Sequence, residues 1–339
     1  MSPNPRETFQ LGPFIVPRLW TGLWQLSSNA WGSASASKVR QAMSRHVDLG
    51  YTAFADHYGS AEVLFGQFQQ SLPPGTVMGA TKWCLFRPIN PTRAVVEAAV
   101  AERMQRMQTN CVDLLQFHWN DYSDTNYLTA LHHLRDLQDE GKISAVGLCN
   151  FDTKRTDEIC TQLGPGFIVS NQVQFSLIDT RPLHGMSDVC ERHGVKVLTY
   201  GSLCGGFLAD KYLHAPEPDL YSGTLTPSQR KYLDMILKAW GDWKLFQSLL
   251  KVLSDIGKRH GGLSISNVAS RWVLDHSFVG AILVGARLGV ADAEHITENS
   301  RVYGFRLSDE DHSIIEAVLS RSNGRHMITS IGDCGAEYR

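Results

Sequence analysis

Ile143-Ser144-Ala145-Val146-Gly147-Leu148-Cys149 is a β-rich run, and Gly141-Lys142 makes the turn before it. Apolar residues at helical spacing follow over 152–163, and a second β-rich run, 167–175, follows those. Strand, helix, strand in this order argues for a right-handed βαβ unit and a parallel pair of strands. The same alternation continues in both directions. Upstream lie the β-rich runs 19–23, 52–55, 77–80 and 112–117; downstream lie 195–200 and 279–284. Between them, apolar residues recur at i, i+3 or i+4 over 39–49, 93–107, 127–140 and 182–193. Glycines stop three of these helical patterns, at Gly50, Gly141 and Gly194. Eight strands so arranged predict an α/β fold, a closed (β/α)8 TIM barrel rather than an open doubly wound sheet.

The barrel accounts for the whole chain as one domain, 1–339, with a core of about 11–321. The stretch 201–226 is rich in Gly and Pro and follows the seventh strand, where a long loop would form a lid over a barrel active site. A helical stretch, 227–260, comes next. Residues 322–339 read as a polar tail, either poorly ordered or capping the barrel mouth.

Composition excludes several functions. A formal net charge of −2 gives no reason to expect nucleic acid or an anionic membrane as partner. No run of about 20 apolar residues is present to span a bilayer. The first residues lack the apolar core of a signal peptide, and Glu337-Tyr338-Arg339 is not a peroxisomal address. Seven cysteines without a C-x-x-C pair argue for reduced thiols and a cytoplasmic protein. There is no G-x-G-x-x-G after a strand, no Walker loop and no G-x-S-x-G. His132 and His133 are adjacent and lack the i, i+4 geometry of a helical metal pair, so no metal is expected.

What remains is a set at strand ends: Tyr58, Lys82 and His118. A phenol with a pKa near 10 is a poor acid at neutral pH, and a neighbouring ammonium stabilises its phenolate. A histidine beside them could bond a substrate oxygen and orient it. Together these groups suit protonation of the oxygen formed when a carbonyl is reduced. Singly, each has a duller explanation: a turn tyrosine, a solvated lysine, a barrel histidine.

In chain order the motifs are Thr21-Gly22-Leu23-Trp24-Gln25, His57-Tyr58-Gly59-Ser60-Ala61-Glu62, Thr81-Lys82 and Gln116-Phe117-His118-Trp119. They continue with Gly147-Leu148-Cys149-Asn150-Phe151, Asn171-Gln172-Val173-Gln174-Phe175, Tyr200-Gly201-Ser202-Leu203, Gly285-Ala286-Arg287 and Glu298-Asn299. This ordered set resembles the aldo-keto reductase family, in the branch with a long seventh loop found in bacterial, fungal and potassium-channel β-subunit members. The resemblance implies reduction of an aldehyde or ketone with NADPH lying across the barrel mouth. By position it implies that Asn150 and Gln172 hold the nicotinamide carboxamide and that Tyr200 stacks on the ring. Gly201, Ser202, Leu203 and Lys211 would wrap the pyrophosphate, and Gly285, Ala286, Arg287, Glu298 and Asn299 the adenosine phosphate end. Arg287 would meet a 2′-phosphate, which favours NADPH over NADH. His57, Trp24, Trp83 and Trp119 lie beside the catalytic positions. Three indoles there would make a flat apolar pocket for an aromatic or secondary-metabolite carbonyl substrate, or would simply pack under the lid.

The chain departs from the family pattern at one critical place. The family's catalytic aspartate lies five residues before the tyrosine, where this chain has Ala53, so two residues are missing. Asp56, two residues before Tyr58, could replace it by sliding inward to pair with Lys82. The segment 288–295 is slightly longer than the pattern, and Cys149 stands where a serine is usual. A barrel without the aspartate leaves two other readings open. One is a redox-neutral acid/base enzyme (isomerase, dehydratase or cyclase); the other is a non-catalytic nucleotide-sensing subunit.

Overall fold

The computed structural model describes residues 6–30, 32–290 and 294–339, and describes Asp56 and His57 by their backbone alone. A short antiparallel hairpin comes first, β1 (Thr8–Leu11) and β2 (Phe14–Pro17). Eight parallel strands then close a barrel in chain order. They are β3 (Leu19–Gly22), β4 (Ala53–His57), β5 (Met78–Cys84) and β6 (Val112–His118), then β7 (Ile143–Cys149), β8 (Ile168–Gln174), β9 (Lys196–Tyr200) and β10 (Val279–Gly285). β10 pairs with both β9 and β3 and so closes the ring. The chain is therefore the (β/α)8 barrel that the alternation predicts.

The outer layer is α1 (Ala36–Asp48), α2 (Ser60–Gln69), α3 (Arg93–Met107), α4 (Tyr127–Asp139), α5 (Thr153–Leu163) and α6 (Met186–His193). It continues with α7 (Pro227–Asp234), α8 (Trp243–Arg259), α9 (Ile265–Leu274), α10 (Ile296–Asn299), α11 (Asp309–Leu319) and α12 (Met327–Ser330). Side-chain caps set many of the starts. Asp152 accepts from the Arg155 amide at the start of α5, and Ser264 and Ser308 form capping boxes on α9 and α11.

The inside of the barrel changes polarity from end to end. Near the strand N-termini, Trp20, Ala53, Ala55, Met78, Ala80, Leu114, Ala145, Leu198 and Ala281 make an apolar plug, and Leu11 and Val16 of the hairpin seal it from below. Toward the C-termini the inward positions become Lys82, Gln116, His118, Gln172 and Gln174, all buried. Buried polar side chains must be hydrogen-bonded or serve chemistry, so this end is the functional one.

The three largest boundary differences from the sequence reading have local causes. β5 runs on to Cys84 because Thr81, Lys82, Trp83 and Cys84 pair with β6. α6 starts at Met186 rather than at 182, since Pro182 sits in a 3-10 turn and Gly185 has φ 106. The stretch 227–260 splits at a π-helical turn, Met235–Trp240, and Asp242 caps α8 afresh. The tail caps the mouth: residues 333–339, which include the turn Ala336–Tyr338, lie against Asn150, Arg181 and Tyr200.

Candidate active site

The end of β4 that leads to Tyr58 carries a local irregularity. Ala55 pairs with Ala80, but His57 pairs with Thr81, so residue 56 is an extra residue in the ladder. Such a bulge re-aims side chains, and simple alternation no longer fixes which face residue 56 takes. The side chains of Asp56 and His57 lie outside the described part of the structure. A two-residue connection, Tyr58-Gly59, then leads directly into α2. Gly59 has φ 49 and nothing where a Cβ would sit, so it is backbone conformation that calls for glycine there.

Lys82 and His118 come from adjacent strands. The register sets Lys82 beside Gln116 and Cys84 beside His118, which puts both site residues on the inner face. The Lys82 ammonium lies 5.5 Å from the centroid of the Tyr58 ring, and only 7% of Lys82 is exposed. The three strand-end residues of the sequence reading therefore share one corner of the mouth. Glu62 steadies that corner from outside. It is buried, and its carboxylate accepts from Thr81 Oγ1 at 2.5 Å and from Arg106 at 3.2 Å. It thereby ties the start of α2 to the strand that carries Lys82. Its presence in the motif after Tyr58 was a signal for the family, not for this role.

The tautomer of His118 follows from its partner. Nδ1 lies 3.0 Å from the Cys149 carbonyl, which can only accept, so Nδ1 carries the proton and donates it. Burial, with Arg339 and Lys82 adding repulsion, pushes the imidazole pKa down to about 4. At neutral pH the ring is uncharged, and Nε2 presents a lone pair rather than a proton. Burial lowers His46 to about 4 as well; it lies under the adenosine-end segment beside Thr21 and Glu294.

These two histidines give a pH prediction. Free histidine titrates near 6.5, so between about pH 6.5 and 4 the unfolded chain binds protons that the folded one refuses. Their contribution to stability is therefore full above 6.5 and is lost as pH falls toward 4. Urea midpoints at pH 7.5 and 5 should drop toward acid, and His118→Gln should flatten the drop. An unchanged slope in that variant contradicts the assignment.

The opposite side of the mouth is built from β7 to β10. Asn150, Gln172 and Tyr200 stand at or just past the ends of three neighbouring strands. The Tyr200 hydroxyl donates to Asn150 Oδ1 at 2.9 Å, and Gln172 Nε2 donates to Gln116 at 2.9 Å. Gln172 Oε1 is buried with no hydrogen-bond partner among the described residues. An orphaned amide oxygen at this place fits the NH2 of a carboxamide.

Gly201 has φ +71, and a Cβ there would lie 2.0 Å from the Tyr232 hydroxyl, so the lid helix α7 closes directly onto the loop. Ser202 is spent on structure, since its Oγ donates to the Phe175 carbonyl at 2.9 Å. Leu203 is half-buried beside it. Lys211 sits in a lid turn with its ammonium 5.0 Å from the Tyr212 ring.

Gly285 ends β10, paired with Gly22 of β3, and Ala286 is buried. Arg287 is half-buried and makes no ion pair with a described residue. Glu298 is half-buried and lies 4.0 Å from Arg301, and Asn299 ends α10 and lines a small cleft with Thr21, His46 and Glu294. Of the longer segment 288–295, residues 291–293 lie outside the described part.

The three-indole pocket does not assemble. Trp83 and Trp119 are 5% and 3% exposed and pack on Phe117, in the cluster shared with Tyr127 and Phe151 between sheet and helices. Trp83 takes the outward face of β5, as its alternation with inward Lys82 requires. Trp24 is 44% exposed. The rings set around His118 are instead Phe86 at 6.2 Å and Tyr338 at 6.3 Å. Neither they nor Lys231, whose ammonium lies 5.6 Å from the centroid of the Tyr200 ring, were legible in the sequence, because only the fold brings them to the mouth.

Comparison with known proteins agrees with this architecture. The model of the family described as "Aldo/keto reductase family" matches residues 18–320. Aldo-keto reductase YhdN of Bacillus subtilis is 27% identical over 90% of each chain. An NADH-specific methylglyoxal reductase of Escherichia coli is 25% identical over 88% of this chain and 94% of its own. Among solved structures, the glycerol dehydrogenase AKR11B4 of Gluconobacter oxydans superposes with a TM-score of 0.74 at 24% identity, over 95% of this chain and 96% of its own. An aldo-keto reductase from Klebsiella pneumoniae, in complex with NADP and acetate, gives 0.69 at 20% identity over 93% and 96%.

Proposed function

Because the chain belongs to the aldo-keto reductase family, we propose that it reduces an aldehyde or ketone to an alcohol with NADPH at the mouth where Tyr58, Lys82 and His118 meet. The observation that carries this reading is the pairing of two half-sites. An acid corner, with the Lys82 ammonium 5.5 Å from the Tyr58 ring, sits across from an amide corner whose Gln172 Oε1 has no hydrogen-bond partner among the described residues.

The cofactor, when bound, supplies the hydride. Asn150 and Gln172 would hold its carboxamide, and Tyr200 would lie against its ring. Tyr58 gives a proton to the carbonyl oxygen as that oxygen gains charge, and Lys82 stabilises the phenolate left behind. His118 Nε2, with its lone pair, accepts a hydrogen bond from the new hydroxyl and fixes its direction. In this tautomer it does not donate to the carbonyl, so proton donation rests on Tyr58.

Preference for NADPH rests on Arg287, a guanidinium without an ion-pair partner among the described residues at the end of β10. Solved relatives carry NADP or NADPH, although one curated relative is NADH-specific. A charge-assisted contact with a phosphate is worth about 1.5–3 kcal/mol. Arg287→Met should therefore weaken NADPH binding by about 10–100-fold and leave NADH binding unchanged. Equal weakening of both cofactors removes Arg287 from phosphate recognition. The activity is tested by following NADPH absorbance against a panel of aldehydes and ketones, aromatic ones included. Loss of absorbance that depends on the carbonyl compound supports the proposal. Product formed without cofactor points to a redox-neutral enzyme, and tight binding without turnover to a sensing subunit.

A further inference from the structure

The buried ion cluster Asp179–Arg181–Glu337 has no part in the chemistry above, yet it controls what lies on the cofactor side of the mouth. Arg181 and Asp179 are 1% and 0% exposed, and the guanidinium donates to Asp179 at 2.7 Å and 2.9 Å. Its outer edge reaches the tail, with Glu337 at 3.0 Å and 3.1 Å and the Asp333 carbonyl at 3.1 Å. Asp333 adds a second anchor by accepting from the Thr153 amide at 2.8 Å.

So held, the tail lies on the groups a nicotinamide would use. The Tyr338 hydroxyl bonds the Tyr200 hydroxyl at 3.2 Å, which itself donates to Asn150 Oδ1. The Lys231 ammonium, from the lid helix, donates to Tyr338 at 3.0 Å and sits 5.6 Å from the centroid of the Tyr200 ring. Arg339 bonds the Asn150 carbonyl and the Tyr122 hydroxyl. Gly335 packs so close to Asn150 that a Cβ would meet its carbonyl oxygen at 2.2 Å.

We infer that the segment 333–339, latched by Arg181 to Glu337, is a strap that competes with the nicotinamide for Tyr200 and Asn150, with Lys231 holding the ring face until the strap lifts. The inference rests on the cofactor reading above. A ring stacking on Tyr200 takes the place of the Lys231 ammonium, and the strap is what keeps that ammonium there. A site competent only when the strap is raised binds its ligand more weakly by the fraction of time it is raised.

The test is calorimetric titration of NADPH into the full-length chain and its Tyr338→Ala and Glu337→Gln variants. Tyr338→Ala deletes the hydroxyl that joins strap, lysine and Tyr200. Glu337→Gln weakens the latch while leaving the Asp179–Arg181 pair intact, and so remains informative if the first variant folds poorly. The strap predicts a Kd at least fivefold lower in Tyr338→Ala, a smaller fall in Glu337→Gln, and faster association in both. A Kd unchanged within twofold, or higher, overturns the strap alone. No binding by any of the three forms removes the cofactor site and the strap together.

Discussion

Tyr58→Phe lowers kcat for carbonyl reduction by about 10²–10⁴-fold and leaves the Kd for NADPH within twofold. The size is that of a lost general acid, and the group removed is one oxygen at the end of a half-buried ring. Among the side chains the structure describes, no other group at the corner can take over the proton. Lys82 is held against the Tyr58 ring, and His118 has its single proton committed to the Cys149 carbonyl. Lys82→Met should cost a similar factor, because a phenolate beside a methionine is no longer stabilised. Residues that act as a unit are non-additive, so the double variant should be no slower than the worse single one. Steady-state rates for the three variants, with cofactor binding measured alongside, check this. A double variant slower by the product of the two factors shows that tyrosine and lysine work independently.

Arg181→Ala produces the largest loss of stability, about 3–5 kcal/mol by urea unfolding, because it leaves the Asp179 carboxylate buried with its charge unpaired. Gln174 still donates to Asp179 at 2.8 Å, but one neutral amide does not replace a bidentate guanidinium. Glu337→Gln should cost far less, since the Arg181–Asp179 pair survives it. The replacement of both Arg181 and Asp179 by apolar residues should recover much of the loss. If Arg181→Ala is no worse than Glu337→Gln, the buried pair is not what anchors this end of β8 to the tail.

The barrel was legible because parallel strands covered by helices on the outside leave short apolar runs at a regular alternation with amphipathic ones. Ile143–Cys149 follows the reading residue for residue and its neighbours β6 and β8 follow it to within one residue, while β5 outran it because Lys82 is a charged residue inside a strand. The hairpin β1–β2 was missed; its value lies in Leu11 and Val16 plugging a barrel built from residues far along the chain. That Tyr58, Lys82 and His118 meet at one corner was legible from their places at strand ends.

What the sequence left open has a physical reason in each case. A ladder tells which residues pair only once both strands are placed, so the extra residue at 56 could not be read from the sequence as a bulge. Trp83 and Trp119 were adjacent to site residues, yet adjacency in a strand means opposite faces. Lys231, Tyr338 and Arg339 reach Tyr200 and Asn150 across separations of 31 to 189 residues, which no local pattern encodes.

The account stands most directly on hydride transfer to a carbonyl carbon at this mouth. NADPH carrying deuterium at the transferable C4 position, incubated with the chain and a reducible aldehyde, should give an alcohol with one deuterium on the former carbonyl carbon. Tyr58→Phe should suppress that product. An alcohol without deuterium, or product formed equally well without the cofactor, contradicts it.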